Sequence, residues 1–258
     1  MVDVQSVRSV ERAIDVLLAL SRGPRRLADI STDVELSRPT TYRLLSTMKL
    51  KGVVLQDHTT GDYRLGPACF RLMSSMADGH AGFPAEAARE LEELRDATSE
   101  TVTVHVMAGP SRICVQELSS PSPIRYTAGL GATAPIYSGS AGKVLLAFLP
   151  QRELDQTLRS LRLTPVTANT VTDPDALRAE LAEIARTGTA TSMGERVVGA
   201  VGVSAPVFDS VGRVLAAISV LGPAERLDGP TRERARTLVR DCAGAISGML
   251  REATDDPR

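Results

Sequence analysis

A chain of 258 residues is long for one compact unit, so two domains are expected. Apolar residues make up 43% and charged residues 24%, an ordinary globular composition that excludes a fibrous or disordered chain, while aromatics at 3% and absent tryptophan leave the cores to Leu, Val, Ile and Ala. The net charge of −1 argues neither for nor against nucleic acid; within it, residues 1–82 carry 11 Lys+Arg against 9 Asp+Glu and the remainder 19 against 22.

Cys69, Cys114 and Cys242 are odd in number and far apart, with no CxxC spacing. Neither a disulfide framework nor a zinc site is expected, and a reducing, cytoplasmic compartment is. His58, His80 and His105 have no second ligand at metal spacing, so no metal or other cofactor is expected. No apolar run reaches about 18 residues, and the opening MVDVQSVRSVERA carries charges where a secretory leader needs an apolar segment. No membrane partner is expected.

From Ser6 to Leu20, the residues Val7, Val10, Ile14, Leu17 and Leu18 recur at helical spacing, and Arg22-Gly23-Pro24 stops the helix. Leu27 to Val34 predicts a short second helix, and only Glu35 and Leu36 separate it from a third, so the two must cross. The third opens on the favoured N-cap Ser37 with Pro39 in its first turn. Around it, Thr41, Leu44, Leu45 and Met48 cluster on one side and Pro39, Tyr42, Arg43 and Ser46 on the other, with Gly52 closing the helix.

Two strand patterns, residues 53–57 and 63–65, flank a turn-rich segment, and three helices followed by a hairpin is the order of a winged helix-turn-helix. Such a third helix offers donors to phosphate oxygens and base edges in a major groove. A solvated basic face is the bland alternative for an isolated helix; the short preceding helix, tight turn and hairpin favour recognition. Arg26, just before the second helix, is a candidate phosphate contact.

Pro67 starts a further periodic stretch through Phe70, Leu72, Met73 and Met76, read as a linker helix over 67–82. The divisions are therefore 1–66, 67–82 and 83–258. Beyond Phe83, helical patterns at 85–98, 139–148, 152–161, 174–186 and 230–251 alternate irregularly with strand patterns at 101–107, 112–118, 202–208 and 214–220. This indicates an α+β domain with a mostly antiparallel sheet.

Near-motifs for catalysis fail on inspection. Gly129-Leu130-Gly131-Ala132-Thr133-Ala134 fits a loose dinucleotide fingerprint, but Pro135 follows and no helix opens on the glycines. Gly142-Lys143 imitates the end of a phosphate loop, but Tyr137 replaces its first glycine and Val144 its magnesium-binding hydroxyl. No serine sits in a GxSxG elbow, and His105 lies in an apolar alternation read as a strand, so no enzyme activity is expected and no residue is assigned a catalytic role.

With these residues in view, the chain resembles the IclR family of bacterial transcriptional regulators. The likeness rests on ordered fragments: Val10-Glu11-Arg12-Ala13, Arg38-Pro39-Thr40-Thr41-Tyr42-Arg43-Leu44-Leu45, Tyr63-Arg64-Leu65-Gly66, Gly139-Ser140-Ala141-Gly142-Lys143, Gly194-Glu195 with Gly199, Ala205-Pro206-Val207 and Ala216-Ala217-Ile218-Ser219. The resemblance implies a winged helix-turn-helix joined by a helix to a GAF-like effector-binding domain. It implies a homodimer or dimer of dimers that represses or activates a catabolic operon from a double-stranded DNA operator in response to a small metabolite, with repression the favoured sense. A ligand sensor acting through protein partners is the alternative.

Read together, the candidate DNA-binding residues are Arg26, Ser37, Arg38, Pro39, Thr40, Thr41, Tyr42, Arg43 and Ser46. Carried over from the family, the effector-binding positions are Ser140, Ala141, Ser192, Gly202, Ser219 and Leu221. Two departures stand out. Glu35 occupies a turn where the family usually has glycine, and Ser192 and Leu221 replace an acid and a second serine of members that recognise small oxo acids. The second departure predicts fewer polar anchors and an aromatic or apolar acid, amide or related effector rather than glyoxylate or pyruvate, its acceptor group seated on the backbone N–H groups at 138–141.

Overall fold

The computed structural model describes residues 6–69, 72 and 85–255. It divides into two compact units, Met1–Gly82 and Phe83–Arg258. Most of the expected linker helix, 67–82, lies outside the described residues.

In the first unit, α1 (Arg8–Leu20), α2 (Leu27–Asp33) and α3 (Arg38–Leu50) precede a hairpin of β1 (Val54–Gln56) and β2 (Tyr63–Leu65). Ser37 caps α3, its hydroxyl oxygen accepting the Thr40 N–H at 3.4 Å. The core is Val16, Leu20, Ile30, Leu45, Met48, Val54 and Tyr63, one or two residues from each element. Backbone hydrogen bonds in both directions between Arg25 and Tyr63 tie the entry of α2 to the hairpin.

The apolar spacing predicted for the first helix selects the wrong face. Val7, Val10, Ile14 and Leu18 are 50–61% exposed, while Val16, Ala19 and Leu20 are buried. An amphipathic helix buries one stripe, and here the stripe at Ala13, Val16, Leu17 and Leu20 joins the core of the unit while a second apolar stripe faces outward.

Glu35 has a positive φ of 51°. Its N–H bonds the Thr32 carbonyl at 3.3 Å and the Leu36 N–H bonds the Ser31 carbonyl at 3.0 Å. This is the paired closure that ends many helices on glycine, and a glutamate fills it here.

The second unit contains α4 (Ala85–Thr98), β3 (Thr101–Ala108), β4 (Ser111–Leu118), β5 (Thr133–Pro135), α5 (Ser140–Ala147), α6 (Gln151–Ser160), α7 (Pro174–Thr187), β6 (Ala190–Met193), β7 (Ala200–Phe208), β8 (Val214–Pro223) and α8 (Gly229–Asp255). The strands form one antiparallel sheet in the order β5-β4-β3-β8-β7-β6. The edge strands β5 and β6 carry no readable strand pattern, being only three and four residues long. Pro206 is tolerated in β7 because β6 pairs no further than Ser204, leaving one side of Pro206 without a ladder.

Strand alternation divides the two faces. Val102 and Val104 of β3, Val201, Val203, Ala205 and Val207 of β7, and Ala216, Ile218 and Val220 of β8 pack against α4 and α8. The other face receives α5 and α7 through Val144, Leu145, Leu177, Leu181 and Ala217. That second face also carries the intervening residues Thr103, His105, Gly202, Ser204, Ser219 and Leu221, and there the cavity opens.

Candidate functional site

The first unit presents α3 with one face buried and one free. Leu45 and Met48 hold it to the core, Leu44 is half-buried, and Arg38, Pro39, Tyr42 and Arg43 are exposed, with Thr40 and Ser46 half-exposed. Ser37 is exposed but spends its hydroxyl on the helix start and on Thr40 Oγ1 at 2.9 Å. Thr41 corrects the expectation: it is fully buried and its hydroxyl donates to the Ser37 carbonyl at 3.2 Å, so it braces the helix and faces no groove. Arg26 is exposed and lies 3.7 Å from Asp62 beside the hairpin turn. Lys49 donates to Gln56 Oε1 at 2.7 Å, tying the end of α3 to β1.

The second unit holds a partly open cavity of about 570 Å³, its mouth included. All six positions expected for an effector, Ser140, Ala141, Ser192, Gly202, Ser219 and Leu221, line it. They come from α5, β6, β7 and β8, because the antiparallel pairs Ser192↔Gly202, Gly202↔Leu221 and Ser204↔Ser219 bring them level. A hydroxyl chain runs beneath: Ser204 donates to Ser140 Oγ at 2.7 Å, and Ser204 and Ser219 are 2.6 Å apart. Gly202 leaves the room, since a Cβ there would sit 2.8 Å from Ser140 Oγ and 3.3 Å from Ser192 Oγ.

The other wall holds Glu195, which the family likeness includes without assigning it a role, and Thr103, His105, Arg112, Tyr126 and Arg196, which sequence reasoning missed. This wall adds charged and polar groups to the six positions carried over from the family. Arg112 is 4% exposed, and its Nη1 donates to the Ser138 carbonyl at 3.1 Å. Burial and then the neighbouring Arg196 guanidinium push Arg112 down to about 9, so it keeps its charge at neutral pH. Burial, then Arg112 and Arg196, push His105 down to about 3, leaving a neutral imidazole. Its Nε2 lies 3.0 Å from Thr103 Oγ1. A register shift between Val104 and His105 against β4 sits at the same place, and such bulges re-aim side chains. A sequence signal existed for Arg112: it alternates with Cys114 on the inward face of its strand.

The helix start at 138–141 is already partly taken. Glu195 Oε2 accepts the Gly139 N–H at 3.0 Å, and Glu195 Oε1 accepts from Lys143 Nζ at 2.7 Å. Lys143 is fully buried and also donates to both oxygens of Glu180, at 2.8 and 2.7 Å. An internal carboxylate thus fills the first anion seat expected for the ligand. The Gly194 and Glu195 carbonyls are held by Thr167 and Thr170 hydroxyls at 2.7 and 2.8 Å, and Tyr126 donates to the Val198 carbonyl at 3.2 Å.

Among the described residues no cluster of three or more His, Cys, Asp or Glu could hold a metal ion, and no helix is long and apolar enough to cross a membrane.

Residues 9–58 match the IclR helix-turn-helix domain and residues 80–248 the bacterial transcriptional regulator IclR C-terminal domain. The chain is 31% identical over 247 residues to the HTH-type transcriptional regulator BhcR of Paracoccus denitrificans, covering 95% of this chain and 88% of that one. It is 30% identical over 248 residues to the HTH-type transcriptional repressor AllR of Escherichia coli, covering 95% and 91%. Among solved structures, an IclR homologue from Microbacterium hydrocarbonoxydans complexed with 4-hydroxybenzoate matches with a TM-score of 0.81 at 26% identity, covering 95% of this chain and 99% of that one.

Proposed function

The chain belongs to the IclR family of bacterial transcriptional regulators, DNA-binding proteins and not enzymes, and from that premise we propose that it represses a catabolic operon under the control of a small organic effector. The observation that carries the DNA half is α3, capped by Ser37 and clamped through Leu45 and Met48, with Arg38, Tyr42 and Arg43 left exposed on its outer face. Those side chains, with Thr40 and Ser46, are the proposed groove contacts, and Arg26 a phosphate contact. Pro39 and Ser37 start the helix at the groove.

The effector is proposed to bind among Ser140, Ala141, Ser192, Gly202, Ser219 and Leu221, whose convergence on one cavity supports the assignment. Its body is aromatic or apolar, in keeping with the Ala141 and Leu221 wall; the related protein that holds 4-hydroxybenzoate supports the same class. The effector regulates by binding DNA-bound and DNA-free forms with different affinity, worth about 1 to 3 kcal/mol of coupling. The domain division at 66, 82 and 83 is part of this proposal, as are a homodimer or dimer of dimers, supported by the outward apolar stripe of α1, and a cytoplasmic location beside the operator.

A gel-shift titration on the intergenic DNA beside its own gene tests the reading. Binding should weaken steeply with salt and respond to a small organic acid or amide. Failure to bind that DNA at low salt, with a folded chain, would favour a sensor acting through protein partners.

A further inference from the structure

The charges at the cavity do not balance among themselves. Among the charged residues that line it, Arg112 and Arg196 stand against one carboxylate, Glu195, and Lys143 behind them is shared between Glu195 and Glu180. Both carboxylates are engaged by Lys143, and Glu195 is further engaged by the Gly139 N–H. The guanidiniums of Arg112 and Arg196 form no salt bridge with any described residue. Arg112 Nε is buried with no hydrogen-bond partner, and so is His105 Nδ1 on the same wall.

Gly139 makes room for the Arg112 guanidinium and the Arg196 stem: a Cβ there would lie 3.2 Å from Arg112 Nη2 and 3.4 Å from Arg196 Cδ. Two like charges held close in a low dielectric repel, and an uncompensated buried cation is costly. One anion would relieve the repulsion, remove the surplus of one positive charge and give the guanidiniums acceptors of the planar geometry they favour.

We propose that Arg112 and Arg196 are the carboxylate-recognition residues of this cavity and that the effector is a monoanionic carboxylic acid, not its amide or a dicarboxylate. The inference rests on the reading of this cavity as the effector site. In it, the carboxylate lies between the two guanidiniums and the apolar body points toward Ala141 and Leu221, with Ser140 and Ser219 at its far end. An amide cannot supply the charge, and a second carboxylate would replace a positive surplus by a negative one.

The test is isothermal titration of the full chain with matched probes: acetate, benzoate and 4-hydroxybenzoate, their amides, and terephthalate. The monoacids are expected to bind and to raise the melting midpoint, the amides not, and terephthalate more weakly than benzoate. Arg196→Gln is the working variant because Arg196 is only half-buried, whereas Arg112→Gln risks the fold. It should weaken benzoate binding by roughly ten- to hundredfold, with Arg196→Lys recovering part of the loss. Amides binding as tightly as acids, an unchanged benzoate affinity in Arg196→Gln, a preference for terephthalate, or no monoacid binding at millimolar concentration would each overturn the proposal. Ser219→Leu separates the two readings: benzoate binding that survives it unchanged lies outside this cavity and sinks the effector-site assignment, whereas amide binding that it abolishes sinks only the carboxylate claim.

Discussion

Lys143 Nζ and Glu195 Oε1 lie 2.7 Å apart with the lysine side chain wholly buried, and through Glu195 this pair links the body of α5 to the N–H that begins it. Glu180 of α7 completes the arrangement, so one ammonium holds two helices and the 194–199 loop. Removing the ammonium strands the buried Glu195 carboxylate, while Glu180, with a side chain 32% exposed, turns to solvent. Lys143→Met should therefore cost about 3 to 5 kcal/mol in urea unfolding, and adding Glu195→Gln should recover part of it. A loss under about 1 kcal/mol would mean that water reaches the pair.

Glu35→Gly should stabilise the first unit. The glutamate holds φ at 51°, a region that costs a residue with a Cβ roughly 1 kcal/mol, and glycine occupies it freely. The closure by the Glu35 and Leu36 N–H groups uses only backbone, so it survives the change. A higher melting midpoint with unchanged DNA affinity is the expected result.

On α3, exposure separates recognition from support. Arg43→Ala should weaken operator binding by about 1 to 3 kcal/mol if it contacts a base, or lower the salt slope by about one if it contacts a phosphate. Thr41→Val, at a fully buried site, should alter melting and leave the affinity of the folded protein unchanged. Gel shifts across a salt series, paired with melting curves, check both.

Gly202→Ala should silence the cavity without unfolding the chain. The new methyl meets the Ser140 hydroxyl at 2.8 Å and must push it or Ser192 aside, an overpacking cost of about 1 to 3 kcal/mol. In gel shifts, DNA binding should persist and the effector response should vanish.

His105 makes stability pH-dependent. It is held near 3 in the folded chain, against about 6.5 when unfolded. Between those values the unfolded chain binds a proton that the native one refuses. The stability is full above pH ~6.5 and falls as pH drops, by at most about 1.4 kcal/mol per unit. His105→Gln should flatten the dependence of the melting midpoint on pH between about 6.5 and 5, above the range where exposed carboxylates such as Asp155 and Glu183 titrate.

The order of the helix-turn-helix, the Ser37 cap and the antiparallel α+β character were legible because each depends on local rules: capping, turn residues and side-chain period. The awkward turn was marked only through the family likeness, by Glu35 where glycine is usual, and its positive φ came from the structure. Locality also misled. On α1 the periodicity at Val7, Val10, Ile14 and Leu18 is real, but the core took the neighbouring stripe, because which face is buried depends on where α3 lies.

The cavity shows the same division. A strand pattern at 202–208 was readable, and the family likeness supplied six positions that do converge. What chemistry they meet was decided only by tertiary structure. His105, Arg112 and the Glu195-Arg196 pair come from three separate segments and become neighbours only when β4 pairs with β3 and the 194–199 loop meets the start of α5. A lysine that reads as the tail of a failed phosphate loop is, for the same reason, a buried counter-ion. Burial and electrostatic pairing are properties of distance in space, which a linear pattern does not contain.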